Sequence, residues 1–122
     1  IFKQPGEAWT REDLLTLGPA LENHSLFPKR TNVQLAVPTG PKDIFILIWE
    51  RGAGETQASG SSSCAAASAA VRLGLVKGPV TVKMPGGTLN IEVAQDFSLT
   101  MKGPVAEVAR GTLSPSFVRG LK

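Results

Sequence analysis

"ERGAGETQASGSSSCAAASAA", Glu50 to Ala70, crowds three glycines and five serines against a run of alanines, with a Glu-Arg pair in front and one cysteine inside. Cys64 to Leu73 is dominated by alanine, the strongest helix former, and Gly74 stands where a helix stops. A surface helix carries one polar face, whereas this one is small and neutral nearly all round before Arg72. The expectation is a helix inside the domain with sheet packed closely around it. The loop before it then meets a helix N-terminus, where unpaired N–H groups and the dipole favour an anion. Glycines permit close approach and serine hydroxyls add donors, so Gly60 to Ser63 reads as an anion cradle for phosphate or carboxylate. The lysine of a Walker A loop and the glycine spacing of a Rossmann turn are both missing, which makes carboxylate the better fit. Glu50 and Arg51 close the preceding apolar stretch. An arginine can clamp a second carboxylate and a glutamate can accept from an ammonium. The set suits an amino acid with two charged ends; the alternative is a solvated strand end.

Around this core the pattern is mostly strand. Val33, Leu35 and Val37 alternate within Thr31–Val37, a turn follows at Pro38-Thr39-Gly40-Pro41, and "DIFILIWE" (Asp43–Glu50) is apolar enough for a central strand covered on both faces. Val80–Met84, Thr88–Val93, Phe97–Met101 and Val105–Arg110 read as four more strands, with Pro85-Gly86-Gly87 as a hairpin signal. Near the start, Thr10 is placed to cap a helix bearing Leu14, Leu15 and Leu17, which Gly18-Pro19 breaks. A second short helix through Leu21 follows the break. The expected fold class is α+β: a β-rich, barrel-like mixed sheet of six strands wrapped around a central alanine-rich helix, one domain over residues 1–122.

The 122 residues suffice for one core, with 42% hydrophobic residues. No apolar run approaches the roughly 18 residues of a membrane span. No signal peptide is visible, and "IFKQPGE" starts as if in mid-strand, so a longer parent protein is expected. The net charge of +3 is mild and scattered, and the chain has no tyrosine, which argues against a nucleic-acid surface. A single cysteine excludes an internal disulfide and a thiolate zinc cluster, and is compatible with the expected cytoplasmic location. Cys64 reads as packing and His24 as structural or solvated.

"FPKRTNV" (27–33), "WERGAGET" (49–56), the glycine-serine-cysteine-alanine run, "MPGGTLNIEV" (84–93) and "MKGPVAEVARG" (101–111) follow one another as in the diaminopimelate epimerase family. The chain resembles the C-terminal half of such an enzyme over Leu26–Gly111. The resemblance implies two similar domains facing each other, each a sheet around a central helix, with the active site in the cleft between them. It implies a cofactor-independent isomerase of lysine biosynthesis, in which one cysteine removes the α-proton and another returns it. By position, Asn32 binds the distal end of the substrate, Glu50 and Arg51 take its ammonium and distal carboxylate, and Gly60 and Ser61 hold the α-carboxylate. The second catalytic cysteine falls on Ser59, in "ASGSSSC" (58–64). A serine hydroxyl is a far weaker acid than a thiol. The expected partners are therefore an amino acid with two charged ends and the N-terminal half of the same protein, absent from this chain; a homodimer is compatible. Alone the chain is expected to be inactive. Two further readings are a scaffold that lost two-base chemistry and binds, isomerises or dehydrates another amino acid, and a non-catalytic domain that assembles with a partner.

Overall fold

The computed structural model describes residues 1–121. Its frame is a six-stranded mixed sheet: β1 (Val33–Gly40), β2 (Asp43–Glu50), β3 (Gly54–Thr56), β4 (Val80–Met84), β5 (Gly87–Val93) and β6 (Leu99–Lys102). The order is β1-β2-β4-β5-β6, with β3 also paired to β2. Among these strand pairs β2–β4 alone is parallel, and an isolated bridge from Phe2 to Ala36 of β1 is parallel as well. Asp43–Phe45 of β2 pair with β4, and Ile48–Glu50 pair with β3. The helices are α1 (Arg11–Glu22), α2 (Gly60–Arg72) and α3 (Pro115–Arg119).

The β1–β2 hairpin sets the layers. Its register places Leu35 opposite Leu47 and Ala36 opposite Ile46. Alternation sends Ala36, Ile44, Ile46 and Ile48 to one face, where they pack with Ala66, Ala67 and Ala70 of α2 and with Val80, Val82 and Ile91. The other face carries Val33, Leu35, Leu47 and Trp49 against Leu14, Leu17 and Leu21 of α1. β2 is thus covered on both sides, as its apolar run requires, and each fully buried isoleucine contributes about 1.5–3 kcal/mol.

The alanine helix lies against β1, β2, β4, β5 and β6, so most of the sheet reaches it. Its buried residues are Ser62, Ser63, Ala66, Ala67 and Ala70, one face at helical spacing, while Ser61 and Ala65 are exposed. The helix is therefore enclosed on one side and open on the other. It begins at Gly60, four residues earlier than alanine content indicates, because Ser59 caps it and Ser63 Oγ donates to the Ser59 carbonyl at 2.8 Å.

Three other expectations are corrected. α1 runs unbroken through Gly18-Pro19. A capping box between Thr10 and Asp13 starts it. Its C-terminal turns are held by the packing of Gly18 on Trp49, where a Cβ would stand 2.6 Å from the indole ring. Packing outweighs the missing proline N–H. The sixth strand is β3, not Val105–Arg110, and β6 begins at Leu99 instead of Phe97. Val105–Arg110 is rich in valine but repeats every three residues instead of two, so it presents no continuous apolar strand face, and it stands outside the sheet and exposed. The short α3, capped by Ser114, was not expected.

Candidate functional site

Two groups of residues meet the same end of the sheet. The first surrounds the start of α2. Ser59 is extended (φ −156°), its Oγ accepts from the Ser62 N–H at 3.4 Å, and it lies 3.3 Å from Ser61 Oγ. Ser62 and Ser63 are buried, and their hydroxyls have partners: Ser62 Oγ accepts from Gln34 Nε2 at 3.1 Å, and Ser63 Oγ also reaches Met84 Sδ at 3.2 Å. The expected cradle over Gly60–Ser63 thus narrows to Ser59, Gly60 and Ser61 at the surface. Met101 of β6 overhangs it, since a Cβ on Gly60 would stand 2.9 Å from its sulfur.

The β4–β5 turn supplies a wall. The Gly86 N–H donates to the Gln57 carbonyl at 2.7 Å, and a Cβ on Gly86 would stand 2.8 Å from that oxygen. Glycine is required there by close approach. A pocket of ≈ 240 Å³ lies between helix start and hairpin, bounded by Ser59, Gly60, Met84, Gly86, Thr88 and Leu89. Sequence reasoning assigned the Pro85-Gly86-Gly87 turn to the hairpin alone and did not find this wall.

The second group is the corner after β2. Asn32 Oδ1 accepts the Arg51 N–H at 2.8 Å, the Arg51 guanidinium donates to the Lys29 carbonyl at 3.2 Å, and the Ala53 N–H closes a turn on the Glu50 carbonyl at 3.1 Å. Gly52 takes φ +78°, the left-handed backbone that a turn allows glycine. Asn32 and Arg51 are exposed and Glu50 is half-buried. Alternation along β1 puts Asn32 and Gln34 on the face toward α2, and Gln34 is already bonded to the first turn of that helix. The corner and the helix start therefore share one end of the sheet, although Asn32, Glu50 and Arg51 do not line the pocket beside Ser59.

Glu22, the buried last residue of α1, underlies the corner. Its carboxylate accepts from Trp49 Nε1 at 2.7 Å, the Gly52 N–H at 2.9 Å and Arg30 Nη1 at 3.1 Å. These bonds, Trp49 first, hold its carboxyl below the ordinary range against the opposing effect of burial. Sequence reasoning missed it. The available signal was an acid in the last turn of a helix, where the dipole disfavours one unless other groups compensate. Cys64 is partly buried against the core, and His24 is exposed with Nδ1 accepting from the Leu26 N–H at 3.2 Å. Among the described residues, no group of three or more His, Cys, Asp or Glu is arranged to hold a metal ion, and no helix is long and apolar enough to cross a membrane.

A mixed sheet with helices on both faces and a small-residue helix opening at a surface pocket defines the class of domain. A solved structure shares that fold: a Bacillus anthracis phenazine biosynthesis protein of the PhzF family, with a TM-score of 0.54 and 15% identity, covering 76% of this chain and 30% of the other. The sequence is more specific. The model of the family described as Diaminopimelate epimerase matches residues 7–108. A diaminopimelate epimerase of Rhodospirillum centenum is 47% identical over 108 residues, covering 88% of this chain and 37% of the relative. Diaminopimelate epimerase 2 of a Nostoc species is 50% identical over 97 residues, covering 80% of this chain and 34% of the relative. The chain belongs to the diaminopimelate epimerase family and spans little more than a third of the length of these relatives.

Proposed function

We propose that this chain supplies the C-terminal part of the active site of a cofactor-independent epimerase of lysine biosynthesis, acting on diaminopimelate or a closely related amino acid in the cytoplasm. The family match across residues 7–108, within which both site groups fall, carries the reading. The remaining part of the protein faces the sheet end described above and contributes the opposing base. In this assignment the N–H groups at Gly60 and Ser61 take the α-carboxylate, Glu50 the ammonium, Arg51 the distal carboxylate and Asn32 the distal end. Removing an α-proton places negative charge on the carbon and its carboxylate, and unpaired amides at a helix start stabilise that charge without reorganising. Ser59 stands beside the pocket as the proton carrier of this half. Its hydroxyl gives up a proton far less readily than a thiol, so turnover with serine is slow. The matched relatives are named as epimerases, which does not favour the reading in which the scaffold has turned to dehydration or binding alone.

The test uses the full-length protein and follows deuterium entering the α-position of diaminopimelate in deuterated water. Exchange that is slow in the parent and rises in Ser59→Cys supports the assignment. An absence of exchange in both proteins, together with no calorimetric binding of diaminopimelate, rejects it.

A further inference from the structure

We infer that Glu22 is a positioning residue for the substrate corner: it sets the backbone from which Arg51 reaches a ligand's distal carboxylate. The inference rests on the function proposed above and adds a residue to it.

The argument starts from where the backbone groups of the corner go. Each of three consecutive N–H groups has a partner from elsewhere in the chain or across the turn. Arg51 donates to Asn32 Oδ1 at 2.8 Å, Gly52 to Glu22 Oε1 at 2.9 Å, and Ala53 to the Glu50 carbonyl at 3.1 Å. Glu22 also fixes the segment that bears Asn32, because its own carbonyl accepts the Thr31 N–H at 3.3 Å. One residue at the end of α1 thus ties both strands of the corner, one through its backbone and one through its side chain. Oε2 takes the Trp49 indole, which anchors the carboxylate to the face of β2 opposite α2. Arg30 closes the set at 3.1 Å, from a residue held at φ +61°. A non-glycine residue in that region costs energy and persists where its surroundings hold it there.

The charge at this position is adverse to the helix that carries it. An acid at a helix C-terminus faces the negative end of the dipole. The residue is 6% exposed, yet its carboxylate has three donors, one of them a guanidinium, so the ion is compensated by the corner and not by its own helix. A purely apolar residue here would fill the volume and leave the indole and the Gly52 N–H without acceptors. A glutamine would fill it too, but its amide would present donors to donors. The carboxylate is the group that accepts from all three sides at once.

The test compares the full-length parent with Glu22→Gln and with Arg30→Gln, which loosens the same carboxylate from an exposed side chain without cutting into the core. Two readouts are taken. The first is hydrogen exchange at Arg51 and Gly52 relative to amides of the β4–β5 hairpin, which needs no ligand. The second is the ratio of dissociation constants for diaminopimelate and lysine, which differ in the distal carboxylate. A hydrogen bond to a charged acceptor corresponds to about a tenfold effect, so Glu22→Gln should speed exchange at both corner amides at least that much and narrow the ligand ratio by about tenfold. Arg30→Gln should shift both readouts in the same direction by less, and this holds even if Glu22→Gln does not fold. Unchanged exchange at Arg51 and Gly52 overturns the inference whatever the ligand does. Faster exchange with an unchanged ligand ratio makes Glu22 merely structural and also overturns it, leaving the proposed function standing. A parent that binds neither ligand removes the function and this inference together.

Discussion

At the scale of the residue, the departure with most consequence is Ser59. It caps α2, and the same geometry that lets its oxygen accept from the Ser62 N–H would place a thiol against the positive end of the helix. Ser59→Cys should therefore titrate below the ordinary thiol value of about 8.5. Thiolate absorbance across pH, with the partly buried Cys64 replaced by alanine to isolate the signal, measures this. A value at or above the free-thiol range would mean that the helix start does not act on position 59. Ser59→Ala should lose the cap and lower stability by about 1 kcal/mol, read as a shift in the urea midpoint with unchanged slope. Sequence showed the serine-rich junction and set it at the start of a helix, because the glycines and hydroxyls stand directly before an alanine run. It could not show which hydroxyls remain available. That is decided by Gln34 and Met84, which are 28 and 21 residues away from the serines they occupy.

At the scale of the element, α1 and α2 show how local and tertiary effects trade. Alanine is favoured over glycine in a helix by about 1 kcal/mol, so propensity alone expects Gly18→Ala to stabilise α1. Packing reverses the sign, because the new Cβ would stand 2.6 Å from the Trp49 ring, and such overpacking costs about 1–3 kcal/mol. Calorimetric melting should show a lowered Tm, and a raised Tm would count against the close seating of α1 on β2. Gly60→Ala meets only the mobile end of Met101, so its thermal cost should be small while ligand affinity falls. The strands were largely legible because two-residue alternation and the "DIFILIWE" run translate directly into faces. β3 escaped because three residues carry no readable period. The unbroken α1 escaped because Gly18-Pro19 is a breaker by local rule, and the Trp49 contact that overrides the rule comes from β2.

At the scale of the whole molecule, acid acts on several carboxylates together. Asp13, Glu22, Glu55 and Asp96 are all held below their ordinary range, chiefly by bonds from the Thr10 backbone, Trp49, Arg11 and Ser98 respectively. Each is depressed on folding, so its contribution is complete above the unfolded-chain values of about 4 and disappears as pH falls through the lower folded values. Urea midpoints should be level from pH 7 to about 5 and drop below that, and Glu22→Gln should remove part of the drop. The tail behaves differently. Val105 and Val108 are 97% and 96% exposed, and the chain beyond Gly103 carries no buried residue among those described. Cutting after Pro104 should leave the Tm of the isolated chain nearly unchanged. The same tail also governs handling. Its "VAEVAR" repeat offers a row of unshared peptide groups beside apolar side chains, which is the usual seed for one copy to zip onto the border of another. Concentrated stocks of this polypeptide should cloud on storage, and a lysine in place of Val108 should keep them clear.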